Sequence, residues 1–200
     1  MSVLTGLAHL IRPAFVEIGE TRGRVHISDS YPEREVQNMS DIPIEKRFKM
    51  LVQICRASHF EMRQAALEMC PDMNPLDFIK RYWSIVGHDT SLGYLKNIDP
   101  SKPLPKQLAE NFVFSAQVMG ETSYVVEGKD DSETFVKTDA CPWYDWHERY
   151  NALAEDQPGC DAWIEALVNN INNALGSKLK WETIKSLPAG GGQCLRRFYV

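Results

Sequence analysis

Five cysteines, Cys55, Cys70, Cys141, Cys160 and Cys194, are the first residues of this 200-residue sequence to suggest chemistry. Their odd number and the absence of a secretory signal argue against a disulfide framework, and no C-x-x-C spacing exists to build a zinc ribbon or a thioredoxin-like motif. Three of the five fall in the last sixty residues. Cys141 is followed by Pro142, and proline suits the first position of a helix, so Cys141 is expected to cap one. A thiol at that position faces unpaired backbone N–H groups and the positive end of the helix dipole, and both favour the nucleophilic, metal-binding thiolate. Asp145, one turn further on, shares the face of Cys141 and opposes its ionisation. A buried structural thiol is the competing reading. His147 is the nearest candidate base, but six residues along a helix turn it about 120° away from Cys141. It falls instead on a stripe with Trp143 and Tyr150, beside Trp146 and Leu153, where a hydrogen-bonded histidine on an aromatic face is the commoner outcome. His59 and His88 belong to the helical half and reach Cys141 only if the fold brings them there. Cys160 also stands at a helix start, with Gly159 and Asp161 as rival caps. Cys55 sits on an apolar helical stripe, where core packing is expected, and Cys70 ends a helix.

The last strand carries a second candidate. Alternation puts Cys194, Arg196, Phe198 and Val200 on one face, three of them residues that favour burial. A buried guanidinium requires an anion. That anion is either an internal carboxylate or the carboxylate of a small substrate, which arginine grips through two parallel hydrogen bonds. Arg197, Lys180 and Lys185 are expected to face solvent. The Gly190-Gly191-Gly192 run lacks the Lys-Ser/Thr of a phosphate loop and lies between strands, so it reads as a hairpin connection. No H-E-x-x-H, G-x-S-x-G or Rossmann fingerprint occurs.

The elements that must position these residues follow from periodicity and punctuation. Residues 1–42 form a poor core, with one short strand at Val25 and Ile27, and read as an N-terminal arm; residues 43–200 read as a single domain. A helix is expected from Pro43, capped by Asp41, through Phe48, Leu51, Val52 and Cys55, with an uncertain break at Ser58-His59 and an end at Cys70-Pro71. A second runs from Asn74-Pro75 to Val86, burying Phe78, Tyr82, Ile85 and Val86 and stopping at Gly87. A short third covers Asp89 to Ile98. Phe112–Met119, Ser123–Glu127 and Thr134–Asp139 are rich in β-branched and aromatic residues and read as a meander, although Phe112–Met119 also suits a continuation of the helical Lys106–Asn111. Pro142 opens a helix through Ala154, Asp156–Gly159 is a turn, and Asp161–Leu175 is a helix ended by Gly176. Its Trp163, Leu167, Val168 and Ile171 are expected against a sheet. Leu179–Leu187 and Cys194–Val200 are strands paired as a hairpin. The fold class is therefore α+β: an N-terminal helical half packed with an antiparallel sheet, then a C-terminal helix and β-hairpin.

Composition narrows the function classes. The chain is 44% hydrophobic and 24% charged, the values of a globular protein. A net charge of −5 argues against nucleic acid as a partner, and no apolar run reaches the length of a membrane span. Met1–Pro13 lacks the parts of a signal peptide, so the expected location is cytoplasmic.

At Cys141-Pro142, at Cys160 ahead of a long helix, and along Ser186-Leu187-Pro188-Ala189-Gly190 leading to Cys194, the chain resembles the bacterial L-2-amino-thiazoline-4-carboxylic acid hydrolase family. Its leucine–glycine–cysteine ending is also similar to that of four-vinyl-reductase-type small-molecule-binding domains. The likeness covers the last sixty residues, with a looser echo in the helices from 45 to 100 and none in 1–42. It implies hydrolysis of a carbon–nitrogen or carbon–sulfur bond in a small cyclic carboxylate. In that reading Cys141 attacks the ring carbon, or holds a metal such as zinc that activates water. His147 or His88 moves protons, with Asp145 alongside, while Arg196, Cys194 and Trp143 bind the substrate. Two other classes stay open: a non-catalytic ligand-binding or sensor domain, and a metal site made by Cys141, Cys160 and Cys194. A homo-oligomer formed through the N-terminal arm is the expected assembly.

Overall fold

A computed structural model describes residues 42–200; the expected arm, its short strand and the Asp41 cap lie outside them. Five helices and four strands follow in the order α1 (Ile44–Met69), α2 (Pro75–Leu95), α3 (Leu104–Val118), β1 (Thr122–Glu127), β2 (Glu133–Ala140), α4 (Pro142–Arg149), α5 (Leu153–Leu175), β3 (Lys180–Lys185) and β4 (Cys194–Tyr199). The fold is α+β, as the residue pattern predicts. The strands form one antiparallel sheet in the order β1-β2-β4-β3, made of two hairpins joined through β2 and β4. The second hairpin turns through Gly190 and Gly192, both at positive φ, which a side chain would resist.

One face of the sheet is buried. Val136 of β2 and Phe198 of β4 meet Leu108, Phe112 and Ala116 of α3, and Ile164, Leu167 and Ile171 of α5 complete that core. α3 lies across β1, β2 and β4, while α5 packs along α2 for most of its length and meets the sheet at β3 and at Arg196 of β4. The expected burial of Leu167, Val168 and Ile171 holds, with Trp163 half-buried, but α3 provides most of the cover for the sheet.

Several expected boundaries differ. Phe112–Met119 is no strand: Leu108, Phe112 and Ala116 recur every four residues, and burial of that face in the core outweighs the strand preference of its aromatic residues. The first helix shows no break at Ser58-His59, and Pro43 occupies its cap position without a side-chain hydrogen bond. The helix opened by Pro142 ends at Arg149, where Asn151 takes a left-handed conformation, and a new helix begins at Leu153. In α2 the buried residues are Ile79, Gly87, Ser91 and Tyr94, while Ile85 is exposed.

Gly87 and Gly159, read as a stop and a turn, lie inside α2 and α5. Both are contact points between the helices. A Cβ on Gly87 would strike the Trp163 carbonyl oxygen, and one on Gly159 would stand 2.8 Å from the Trp83 ring. Gly159 opposite Trp83 and Trp163 opposite Gly87 put the two helices side by side in the same direction, with the Trp83 ring over Gly159 and the Trp163 backbone against Gly87. The close approach therefore requires glycine for lack of a side chain. Gly87→Ala is expected to lower stability by about 1–3 kcal/mol through overpacking. Gly93→Ala, on the same helix with nothing within 4 Å of an added Cβ, should raise it by about 0.5–1 kcal/mol. Urea denaturation of both variants checks the contrast.

Candidate functional site

The buried face of the sheet changes character toward the Cys194 end of β4. Ser123, Thr138 and Cys194 stand side by side across β1, β2 and β4, with Ser123 Oγ 2.7 Å from Thr138 Oγ1. In the next row Arg196 stands between Val136 and Thr183. The first third of α5 meets this row, with Cys160 accepting from Arg196 and Gln157 and Asp161 bonded to Thr183, while Glu155 pairs with Arg63 of α1. α4 contributes Cys141 and His147, and α1 brings Arg56, His59 and Arg63.

Arg196 is only 5% exposed. One of its amino groups donates to the Cys160 sulfur at 2.9 Å, and its Nε has no hydrogen-bond partner. Among the described residues no carboxylate forms an ion pair with it, although Glu121 and Asp161 act on its charge from nearby. Burial works against that charge, and Cys160, Cys194 and Glu121 outweigh it, so the guanidinium is held above the ordinary arginine value. The face expected from alternation is correct for Cys194, Arg196 and Phe198, while Val200 is exposed.

The cysteines depart from expectation. Cys141 does cap α4, with Pro142 following it. Its thiol is nevertheless pushed far up, first by burial and then by the Glu121 carboxyl, and the Tyr144 amide that favours the thiolate is outweighed. Burial pushes Cys160 up to about 12, against the opposing pull of Arg196. Both are neutral thiols at pH 7, whereas Arg196 keeps its proton, because arginine does not deprotonate in proteins. Cys55, expected in the core, is exposed, since α1 turns Val52, Arg56, His59, Phe60 and Arg63 inward instead. Cys194 is buried and accepts the Leu187 N–H at 3.4 Å, tying down the hairpin loop.

Asp145 is exposed and acts on Arg56. His88 is also exposed, 3.4 Å from Asp89, in a shallow surface groove between α2 and α5. The structure does not bring it to the cysteines. His147 is buried; its Nδ1–H donates to the Trp143 carbonyl at 2.8 Å, and Nε2 has no partner. Asp156 lies 3.7 Å from the same Nδ1, its carboxyl raised by burial in spite of His147 and Arg196. Trp143 faces His59 and Trp83 edge-on, with the Arg56 guanidinium over its ring.

Among the described residues no group of three His, Cys, Asp or Glu side chains is placed to hold a metal ion. Cys141, Cys160 and Cys194 do not suit one for a further reason: the Arg196 guanidinium already donates to Cys160, and a fixed cation repels a second.

Three participants, Arg63, Arg56 and Glu121, escape the sequence reading, and His59, named there among the histidines of the helical half, joins them at the site. Arg63 binds Glu155 through both carboxylate oxygens, Nε to Oε2 at 2.6 Å, in a buried pair. Arg56 donates to the Met119 carbonyl and keeps an unpartnered Nε. Glu121 is raised above the carboxylate range by burial, against the pull of Arg196 and Arg56. His59 is held to about 4, first by burial and then by the nearby His147 and Arg63. Neither of its ring nitrogens has a partner, and Phe60, Tyr82, Trp83 and Trp143 surround it. One signal for these was available: Arg56, His59 and Arg63 recur at helical spacing, so three basic residues share one face of α1.

No protein-family model and no curated protein matches the chain. Among solved structures, a trafficking protein particle complex subunit 3 from Naegleria fowleri, covalently bound to palmitic acid, is similar at 14% identity and a TM-score of 0.49, over 76% of this chain and 95% of that one. A likeness at that level bears on neither activity nor ligand. Among the described residues no helix is long and apolar enough to cross a membrane.

Two outcomes follow from the geometry. Limited alkylation at pH 7 is expected to label exposed Cys55 ahead of Cys141, the reverse of the order that helix capping alone implies; peptide mass spectrometry reads the order. The second concerns acid. An unfolded histidine titrates near 6.5 and folded His59 near 4, so between these values the unfolded chain binds the extra proton. The contribution is fully present above about pH 6.5 and is lost as pH falls toward 4, by about 3 kcal/mol in all. Glu121 and Asp156, held above the carboxylate range, work in the opposite sense. His59→Leu removes the histidine component alone, so its stability should fall less than that of the unaltered protein between pH 6.5 and 4. Parallel slopes in urea titrations across that range would contradict this.

Proposed function

We propose that this chain is a small-molecule-binding domain that takes a small carboxylate at the Cys194 end of its sheet, with Arg196 as the anchor. The observation that carries the reading is the buried guanidinium itself: it touches no carboxylate among the described residues and has an unpartnered Nε. A charge left in that state is costly, and an anionic ligand supplies the missing partner. Arg56, with a second unpartnered Nε, acts on the same Glu121 and Cys141 and so adds positive potential to the site. Half-buried Cys141 and Cys160 form neutral, polarisable walls.

The binding reading is preferred to hydrolysis because the thiols are neutral. Burial and Glu121 oppose a Cys141 thiolate, and a bound carboxylate would oppose it further. The His147 Nδ1–H is committed to the Trp143 carbonyl.

Small cyclic carboxylates and their uncharged amides can be titrated against the purified protein, with melting temperature and tryptophan fluorescence as readouts. Carboxylates are expected to raise the melting temperature and amides to leave it unchanged. Arg196→Lys should fold but bind about 10- to 100-fold more weakly, because the ammonium loses one charge-assisted hydrogen bond worth about 1.5–3 kcal/mol. Unchanged affinity in this variant would remove Arg196 as the anchor. Product formation that disappears in Cys141→Ala would replace binding by the hydrolase that the family resemblance implies.

A further inference from the structure

α1 carries two faces of different character. Val52, Arg56, His59, Phe60 and Arg63 are buried against the rest of the domain. About 115° round the helix runs a second row: Ile44, Phe48, Leu51, Cys55, Met62 and Met69, with the small Ser58 and Ala65 at its two remaining positions. The steps are alternately four and three residues from one end of the helix to the other. Every residue of the row is exposed, Leu51 by 57% and Ile44 by 63%. Such a 4-3 repeat is the pattern by which one helix seats against another, and here it faces solvent as an apolar stripe 26 residues long.

We propose that this row is a dimer interface, in which α1 packs antiparallel against α1 of a second copy about a two-fold axis near Ile54. The charges beside the row identify the occupant. On one flank the domain itself covers Val52 and His59. On the other flank, at intervals of seven, stand Arg47, Ile54 and Glu61, all exposed. Antiparallel pairing about Ile54 sets each Arg47 opposite Glu61 of the second copy and the two Ile54 side chains against each other. The contact is thus isologous and self-complementary. Within one chain Arg47 and Glu61 are fourteen residues apart, about 21 Å along the helix, so they cannot pair without the second copy. A helix that lies on a membrane surface would instead flank its apolar row with basic residues; this flank carries both signs.

The 200-residue chain should sediment as a concentration-dependent dimer. Arg47→Glu turns two attractions into two repulsions and should raise the dissociation constant about tenfold. Glu61→Arg should do the same, and the double swap Arg47→Glu/Glu61→Arg should restore the original affinity. Both positions are on the surface, so circular dichroism should be unchanged. Leu51→Glu, in the middle of the row, should leave a monomer. The proposal is overturned by a chain that is monomeric at every concentration, by a dimer indifferent to Arg47→Glu, or by a double swap that fails to restore it.

Discussion

The close approach of α2 to α5 at Gly87 and Gly159 determines where the rest of the polar cluster can stand. The Trp83 ring of α2 lies against Gly159 of α5, and the backbone of α5 at Trp163 lies against Gly87 of α2. Trp163 reaches Phe112 and the main core, while Trp83 reaches His59 and Trp143. This pair of contacts also fixes the first third of α5 beside the sheet, with Cys160 against Arg196. A side chain at either glycine would push the helices apart by the width of a methyl group, and the interior has little free volume to absorb it.

The buried charges obey a second constraint. Arg63 and Glu155 neutralise each other in a two-pronged pair. Arg56 spends one amino group on the carbonyl that ends α3. Arg196 has the Cys160 sulfur and the carboxyls of Glu121 and Asp161, which act on its charge without pairing with it. Near these cations the burial of Glu121, Asp156, Cys141 and Cys160 favours their neutral forms. The same low polarity that makes an unpaired guanidinium costly makes a thiolate unfavourable, so one environment both calls for an anionic ligand and keeps the cysteines unreactive.

α1 connects this interior to the surface. Its inward row is basic and aromatic where helices of small domains are usually apolar, and its apolar row is the one left exposed. A helix with that inversion contributes little to the hydrophobic core and much to the electrostatics of the cluster.

Much of the fold was legible in the residue pattern. The α+β class, the Cys70 end of α1, the hairpins of β1–β2 and β3–β4, the buried row of α5 and the Gly176 stop all follow from periodicity and local punctuation, which act over a few residues. So does the inward face of Cys194, Arg196 and Phe198, because strand alternation is a property of the backbone itself. The Cys141 cap was legible for the same reason, but its ionisation was not: capping is local, whereas the burial and the Glu121 carboxyl that oppose the thiolate come from elsewhere in the chain. Gly87 and Gly159 were misread because glycine ends a helix and admits a neighbouring helix by the same absence of a side chain, and only the partner's position tells the two apart. Cys55 and the inward row of α1 went astray because an amphipathic helix shows which residues share a face but not which face the rest of the protein covers. The sequence by itself determined most of the elements and the strand faces; the tertiary structure decided which helical faces meet, and with them which charges lie buried around Arg196.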